Sequence, residues 1–169
     1  MSAPLVIRPA VTPADLDLVR TLFREYEAAI GVDLCFQGFA DELASLPGRY
    51  APPSGRLYLG EAGGTPAACV ALRAFAPDVG EMKRLYVRAS ARGGGYGRLL
   101  AERVVADARA IGYRAMRLDT LRTPAMAAAN RLYEAMGFRD IPPYYANPLP
   151  DVRYMELTLA PAAAAGPRA

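Results

Sequence analysis

Four glycines fall within the five residues Gly93-Gly94-Gly95-Tyr96-Gly97, flanked by Arg92 and Arg98. Glycine permits left-handed backbone and close approach of a ligand, because no Cβ intervenes. Residues 82–87 before it read as a strand. Beyond it Leu100, Val104, Ala108 and Ile111 recur at helical spacing. A glycine turn opening a helix presents unpaired N–H groups at the positive end of the helix dipole, which suits phosphate. Three ligand-binding patterns compete with a plain flexible turn. A dinucleotide loop needs a third glycine where Leu100 stands, although Asp119 lies about twenty residues beyond Gly97. A P-loop needs Gly-Lys-Ser/Thr, and the only lysine, Lys83, precedes the turn. Arg-x-x-Gly-x-Gly is met by Arg92, Gly95 and Gly97.

Composition narrows the chemistry further. The chain has no histidine, which removes histidine triads, histidine metal sites and the commonest general base. Two distant cysteines, Cys35 and Cys69, cannot make a zinc site without histidine, so no metal is expected. Both lie in apolar company and read as buried free thiols of a cytoplasmic protein. A net charge of +3, scattered and carried almost wholly by arginine, is too weak for nucleic acid yet suits a polyanionic small molecule. No apolar run approaches the roughly 18 residues of a membrane span, and residues 1–10 contain no signal-peptide core.

The elements that must position this turn follow from punctuation and periodicity. Leu5 to Arg8 is a short strand. Thr12-Pro13-Ala14-Asp15 carries helix-start chemistry, Leu16, Val19, Phe23, Tyr26 and Ile30 mark one helix face, and Gly31 ends it. Phe39, Leu43 and Leu46 suggest a second short helix within residues 32–55, which act as a mobile cover or a mere connector. Residues 56–61, 66–72 and 81–87 form a three-strand meander turning at Gly63-Gly64 and Pro77-Asp78. A helix over 95–111, a strand over 114–120, a helix that starts with Thr123 as cap and Pro124 behind it and runs to Met136, and strands over 138–141 and 152–159 complete the order. This predicts an α/β domain over residues 1–159 with a mixed sheet carrying helices on its faces, and a disordered tail over 160–169.

In combination these pieces resemble the GCN5-related N-acetyltransferase superfamily. Met82-Lys83-Arg84-Leu85-Tyr86-Val87, the turn Arg92-Gly-Gly-Gly95-Tyr-Gly97 and its helix look like that family's central acetyl-CoA motif. Asn130-Arg131-Leu132-Tyr133-Glu134-Ala135-Met136-Gly137-Phe138 looks like its second motif. The likeness spans roughly residues 5–159. It implies a mostly antiparallel central sheet flanked by helices, and an acetyl group moved from acetyl-CoA to an amine without a metal or a covalent enzyme intermediate.

The resemblance also implies roles. Backbone N–H groups from Gly93 through Gly94, Gly95, Tyr96, Gly97 and Arg98 would cradle the pyrophosphate, with Arg92 and Arg98 adding charge. The edge of Leu85, Tyr86 and Val87 would pair with the pantetheine arm as an added strand. Asn130 would contact that arm, and Tyr133, one turn on, would protonate the departing thiolate. Glu81 is the first choice of base, ahead of Asp119 or water; by strand period residues 81, 83, 85 and 87 share one face. Arg73, Arg84, Tyr144, Tyr145 and Asn147 are candidate acceptor contacts, the two arginines for a carboxylate. The expected partner is a primary amine of a small molecule or peptide, bound by a monomer or homodimer. A non-catalytic acyl-CoA sensor is the alternative.

Overall fold

The computed structural model describes residues 2–160. Seven strands form one sheet: β1 (Leu5–Pro9), β2 (Arg56–Ala62), β3 (Thr65–Ala76), β4 (Val79–Val87), β5 (Ala115–Leu121), β6 (Arg139–Asp140) and β7 (Val152–Thr158). Their order is β1-β2-β3-β4-β5-β7-β6. Every neighbouring pair is antiparallel except β4 and β5. The expected mixed, mostly antiparallel sheet with helices is what forms. Of the expected tail, residues 161–169 lie outside the described residues.

Helix α1 (Pro13–Ile30) starts as its sequence requires: the Thr12 hydroxyl accepts from the Asp15 N–H, and the Asp15 carboxylate accepts from the Thr12 N–H. Gly31 closes it in the left-handed region. Helix α2 (Phe39–Ser45) follows. Phe23, Phe39, Leu43, Leu46 and Tyr50 bury against Leu57, Leu59, Cys69 and Ala71 on one sheet face. The stretch over 32–55 is therefore a packed wall. Helices α3 (Tyr96–Ile111) and α4 (Ala127–Met136) contribute Leu100, Val104, Ala108 and Tyr133 to the opposite core, against Val70, Met116 and Met155.

Three sequence expectations change. Thr123 does not cap α4; a 3-10 turn over Pro124–Met126 intervenes, the Met126 N–H binds the Thr123 carbonyl, and the Thr123 hydroxyl is buried without a partner among the described residues. Cys35 is exposed while Cys69 is buried, and both thiols are free. The third change matters most. Cys69 pairs with Tyr86 but Ala71 pairs with Lys83, so β4 carries one extra residue between these pairs. Arg84 sits there in the left-handed region, with φ of 58°. The bulge breaks the alternation. Leu85 and Val87 turn with Met82 toward the α3 core, and Tyr86 turns toward α1.

Candidate active site

Strands β4 and β5 pair only over Val79–Ala115, Gly80–Met116 and Glu81–Arg117. Beyond Glu81 they diverge, leaving the β5-facing edge of Leu85, Tyr86 and Val87 without a strand partner. Two positions on in the same register, side chains meet instead: Lys83 Nζ stands 3.1 Å from Asp119 Oδ1. A pocket fills the opening. Its lining includes Met82, Lys83, Arg84 and Leu85 from β4, Leu118 to Leu121 from β5, and Tyr133 from α4. Its remaining wall includes Tyr26 and Ile30 of α1, Val32, Leu34, Gln37, Met126, Asn147 and Leu149.

The glycine turn lies in the chain that follows β4 and opens α3. Gly93 and Gly95 adopt φ of 89° and 75°, and a Cβ at either would meet nothing within 4 Å. Their conformation requires glycine, and the space beside them is open. Gly97 differs: its φ is ordinary, and a Cβ there would rest 3.7 Å from Leu132. No side chain caps α3, whose N-cap is Gly95 itself. Its first-turn N–H groups therefore have no acceptor among the described residues. The Tyr96 ring is buried and its hydroxyl donates to the Ala3 carbonyl, so only its backbone is open to a ligand. Arg92 Nε donates to the Val87 carbonyl at 3.1 Å, and the exposed Arg98 pairs with Glu102 at 3.4 Å.

Glu81 and Asp119 occupy contrasting settings. Glu81 is 1% exposed, and both its oxygens are engaged. Oε1 accepts from Arg73 at 2.8 Å, and Oε2 accepts from the Tyr144 hydroxyl at 2.6 Å. Glu81, Arg73 and Tyr144 thus join one another beside the pocket, and none of them lines it. Asp119 does line it. Its Oδ2 accepts from the Tyr145 hydroxyl at 2.7 Å, and that hydroxyl in turn accepts from Asn147 Nδ2 at 2.8 Å and Gln37 Nε2 at 3.2 Å. Burial alone would raise the Asp119 carboxyl, but the charge of Lys83, the bonds from Tyr145 and Lys83, and the field of Arg84 hold it below its ordinary value. Burial, with lesser contributions from Tyr26 and Asp119, pushes the Tyr133 phenol well above the usual tyrosine range. Among the described residues nothing hydrogen-bonds its hydroxyl, so it stays protonated and available at neutral pH.

Arg84 is buried at the bulge. Its guanidinium binds Glu42 through Nε at 3.0 Å and Nη2 at 3.2 Å, and Gln37 through Nη2 at 2.9 Å. It also lies over the rings of Phe39 and Tyr26. Asn130 stands apart from the pocket: Nδ2 donates to the Leu121 carbonyl at 2.9 Å, while Oδ1 is buried with no partner among the described residues. The hydroxyl of Thr120, on the pocket wall, is likewise unpartnered. Sequence reasoning missed Lys83 and Gln37. The register of β4 against β5 could have flagged Lys83 opposite Asp119. Gln37 sits in a turn of irregular chain and carries no motif.

An opened pair of parallel strands, a glycine turn leading into an uncapped helix, and a protonated tyrosine in the cleft match one known arrangement. The sequence profile of the acetyltransferase (GNAT) family matches residues 18–138. The chain belongs to that family. As a member it is an acetyltransferase whose acetyl donor is acetyl-CoA. An uncharacterised N-acetyltransferase of Schizosaccharomyces pombe is 43% identical over 150 residues, covering 88% of this chain and 91% of that one. In fold, an acetyltransferase from Streptococcus agalactiae matches with a TM-score of 0.76 at 21% identity, over 92% of this chain and 98% of that one. A Salmonella typhimurium protein solved with its cofactor acetyl-CoA matches at 0.69 and 21% identity, over 96% of this chain and 98% of that one. Among the described residues of this acetyltransferase, no helix is long and apolar enough to cross a membrane.

Proposed function

We propose that residues 1–159 form one N-acetyltransferase domain that acetylates a primary amine by direct attack, with the acceptor entering the pocket between β4 and β5. The observation that carries this reading is the opening itself: a free strand edge on one side, and Asp119 and Tyr133 facing one cavity. Acetyl-CoA brings the acetyl group as an activated thioester. The open space at Gly93 and Gly95 and the uncapped N–H groups of α3 suit its pyrophosphate, while the unpaired β4 edge and the orphaned Asn130 Oδ1 and Thr120 hydroxyl suit its amide arm.

The acceptor arrives mostly as an ammonium, which has no lone pair to attack with. Asp119 accepts its hydrogen bond and orients it. A carboxyl held below its ordinary value is a poor proton sink, so that proton passes to water. The nitrogen then forms its bond to the acetyl carbon as the carbon–sulfur bond breaks. Tyr133 gives its proton to the leaving sulfur and regains one from the nitrogen's second proton. The sum is one amide, one CoA thiol and one proton released. Glu81, first in line as base from the sequence, acts in this reading as a positioning residue that holds Tyr144.

The experiment is release of CoA thiol by the purified protein across a panel of amines, with acetyl-CoA binding followed by calorimetry. The reading expects turnover with at least one amine. Tight binding without turnover on any amine would instead mean a cofactor sensor.

A further inference from the structure

The acceptor wall of the pocket has a charge pattern of its own. Lys83 and Asp119, both in its lining, form a buried ion pair with side chains 5% and 13% exposed. Arg84, also on the wall, is neutralised by Glu42 from behind. The cluster therefore holds two cations and two anions and carries no net charge. Both cations keep unused donors. An ammonium has three N–H donors, and Lys83 directs two of them, to Asp119 at 3.1 Å and to Gln37 at 3.4 Å. The third has no partner among the described residues, and neither has Nη1 of Arg84. The lining also includes the aliphatic side chains of Ile30, Val32, Leu34 and Leu149.

A bare amine fits this lining badly. As an ammonium it would bring a full charge into a buried site, beside Lys83 and Arg84, where like charges repel and desolvation is costly. A dication fits worse. An ion pair is best met by a second ion pair of opposite sense, which adds no net charge and satisfies donors and acceptor together.

We propose that the acceptor is a zwitterion, an α-amino acid with an apolar side chain, whose ammonium meets Asp119 while its carboxylate meets Lys83 and Arg84. The aliphatic part of the lining takes the side chain. Lys83 is then the specificity-determining residue, recognising a group that the reaction leaves untouched. This inference rests on the reading that the pocket between β4 and β5 takes the acceptor.

The test is a matched acceptor panel with thiol release as readout. Valine, leucine, methionine and phenylalanine are each compared with the decarboxylated amine and the α-amide, with rates expressed per concentration of unprotonated amine. A polyamine and a peptide with a free N-terminus complete the panel. The expected result is at least a tenfold higher kcat/KM for one or more amino acids than for the matching amine and amide. Lys83→Met should erase that ratio, chiefly by raising KM for the amino acid. Lys83→Arg should restore part of it. Should Lys83→Met fail to fold, the wild-type comparison decides alone. Equal or better turnover of the decarboxylated amines, of the polyamine or of the peptide would overturn the inference while leaving N-acetyltransfer intact. No turnover with any amine would overturn the underlying reading instead.

Discussion

The two ends of the β4–β5 junction behave as different materials. At the closed end Val79 to Glu81 are hydrogen-bonded to β5, and Gly80 is packed so closely that a Cβ would come within 2.8 Å of the Tyr113 ring. At the open end the strands part, an ion pair replaces the ladder, and polar atoms lie buried without partners. Backbone pairing at one end fixes where the other end opens. Glu81 sits on the border, its carboxylate tied to Arg73 and Tyr144. The difference teaches that a site can be made simply by ending a sheet early, provided the remaining edges are held rigidly elsewhere.

Substitutions should divide along the same line, with open-end changes moving rates and closed-end changes moving stability. The largest effect is expected from Tyr133→Phe. Loss of a general acid should lower kcat by about 10²–10⁴-fold, with little change in acetyl-CoA affinity or melting temperature. An unaltered kcat would remove Tyr133 from proton transfer. Gly97→Val comes next. A Cβ at Gly97 would stand at ordinary contact distance, 3.7 Å from Leu132, so the fold should persist while acetyl-CoA binding measured by calorimetry weakens by at least about tenfold, near 1.4 kcal/mol. Retained affinity would show that the turn does not hold the pyrophosphate.

At the closed end, Gly80→Ala forces Tyr113 aside and should cost about 1–3 kcal/mol of stability in denaturant unfolding. A stability equal to the parent would mean that the junction is looser than its packing suggests. Glu81→Gln tests the border. If Glu81 only positions Tyr144, activity falls but the shape of the pH–rate profile is unchanged. A profile that loses an acid limb would restore Glu81 as the base.

The smallest effect concerns acid. The Asp119 carboxyl is lowered in the folded protein, so its contribution to stability is present above the unfolded value of about 4 and is lost as pH falls through the lower folded value. Unfolding free energy should therefore decline on acidification below about pH 4, and Asp119→Asn should flatten part of that slope. The same slope in wild type and variant would mean other carboxylates carry it.

The glycine turn was legible in the sequence because left-handed backbone needs a particular residue type. Glycines at Gly93 and Gly95 are demanded by left-handed backbone, and Gly31, Gly112 and Gly137 end helices for the same reason. The helix faces and most strands followed from periodicity. The pocket between β4 and β5 was hidden because it depends on tertiary register. Arg84 adopts a left-handed conformation that its residue type gives no hint of, and that single residue reverses which face Leu85 and Tyr86 occupy. Asp119 ranked below Glu81 because the family resemblance implies a glutamate base at that place; burial and partners separate the two acids in the fold. Thr123 misled in a simpler way, since a 3-10 turn took up the N–H that its hydroxyl was expected to meet.

The unequal burial of the two thiols gives this enzyme a built-in place for a probe. Cys69 is fully enclosed, and burial raises its thiol far above the ordinary range. Cys35 is exposed, its thiol raised chiefly by a hydrogen bond with Asp33. A maleimide dye applied at mildly alkaline pH should mark Cys35 alone. That residue begins the turn that carries Gln37 to Lys83 and Arg84. The dye's fluorescence would report occupancy of the adjoining pocket in real time, without any acetyl group being transferred.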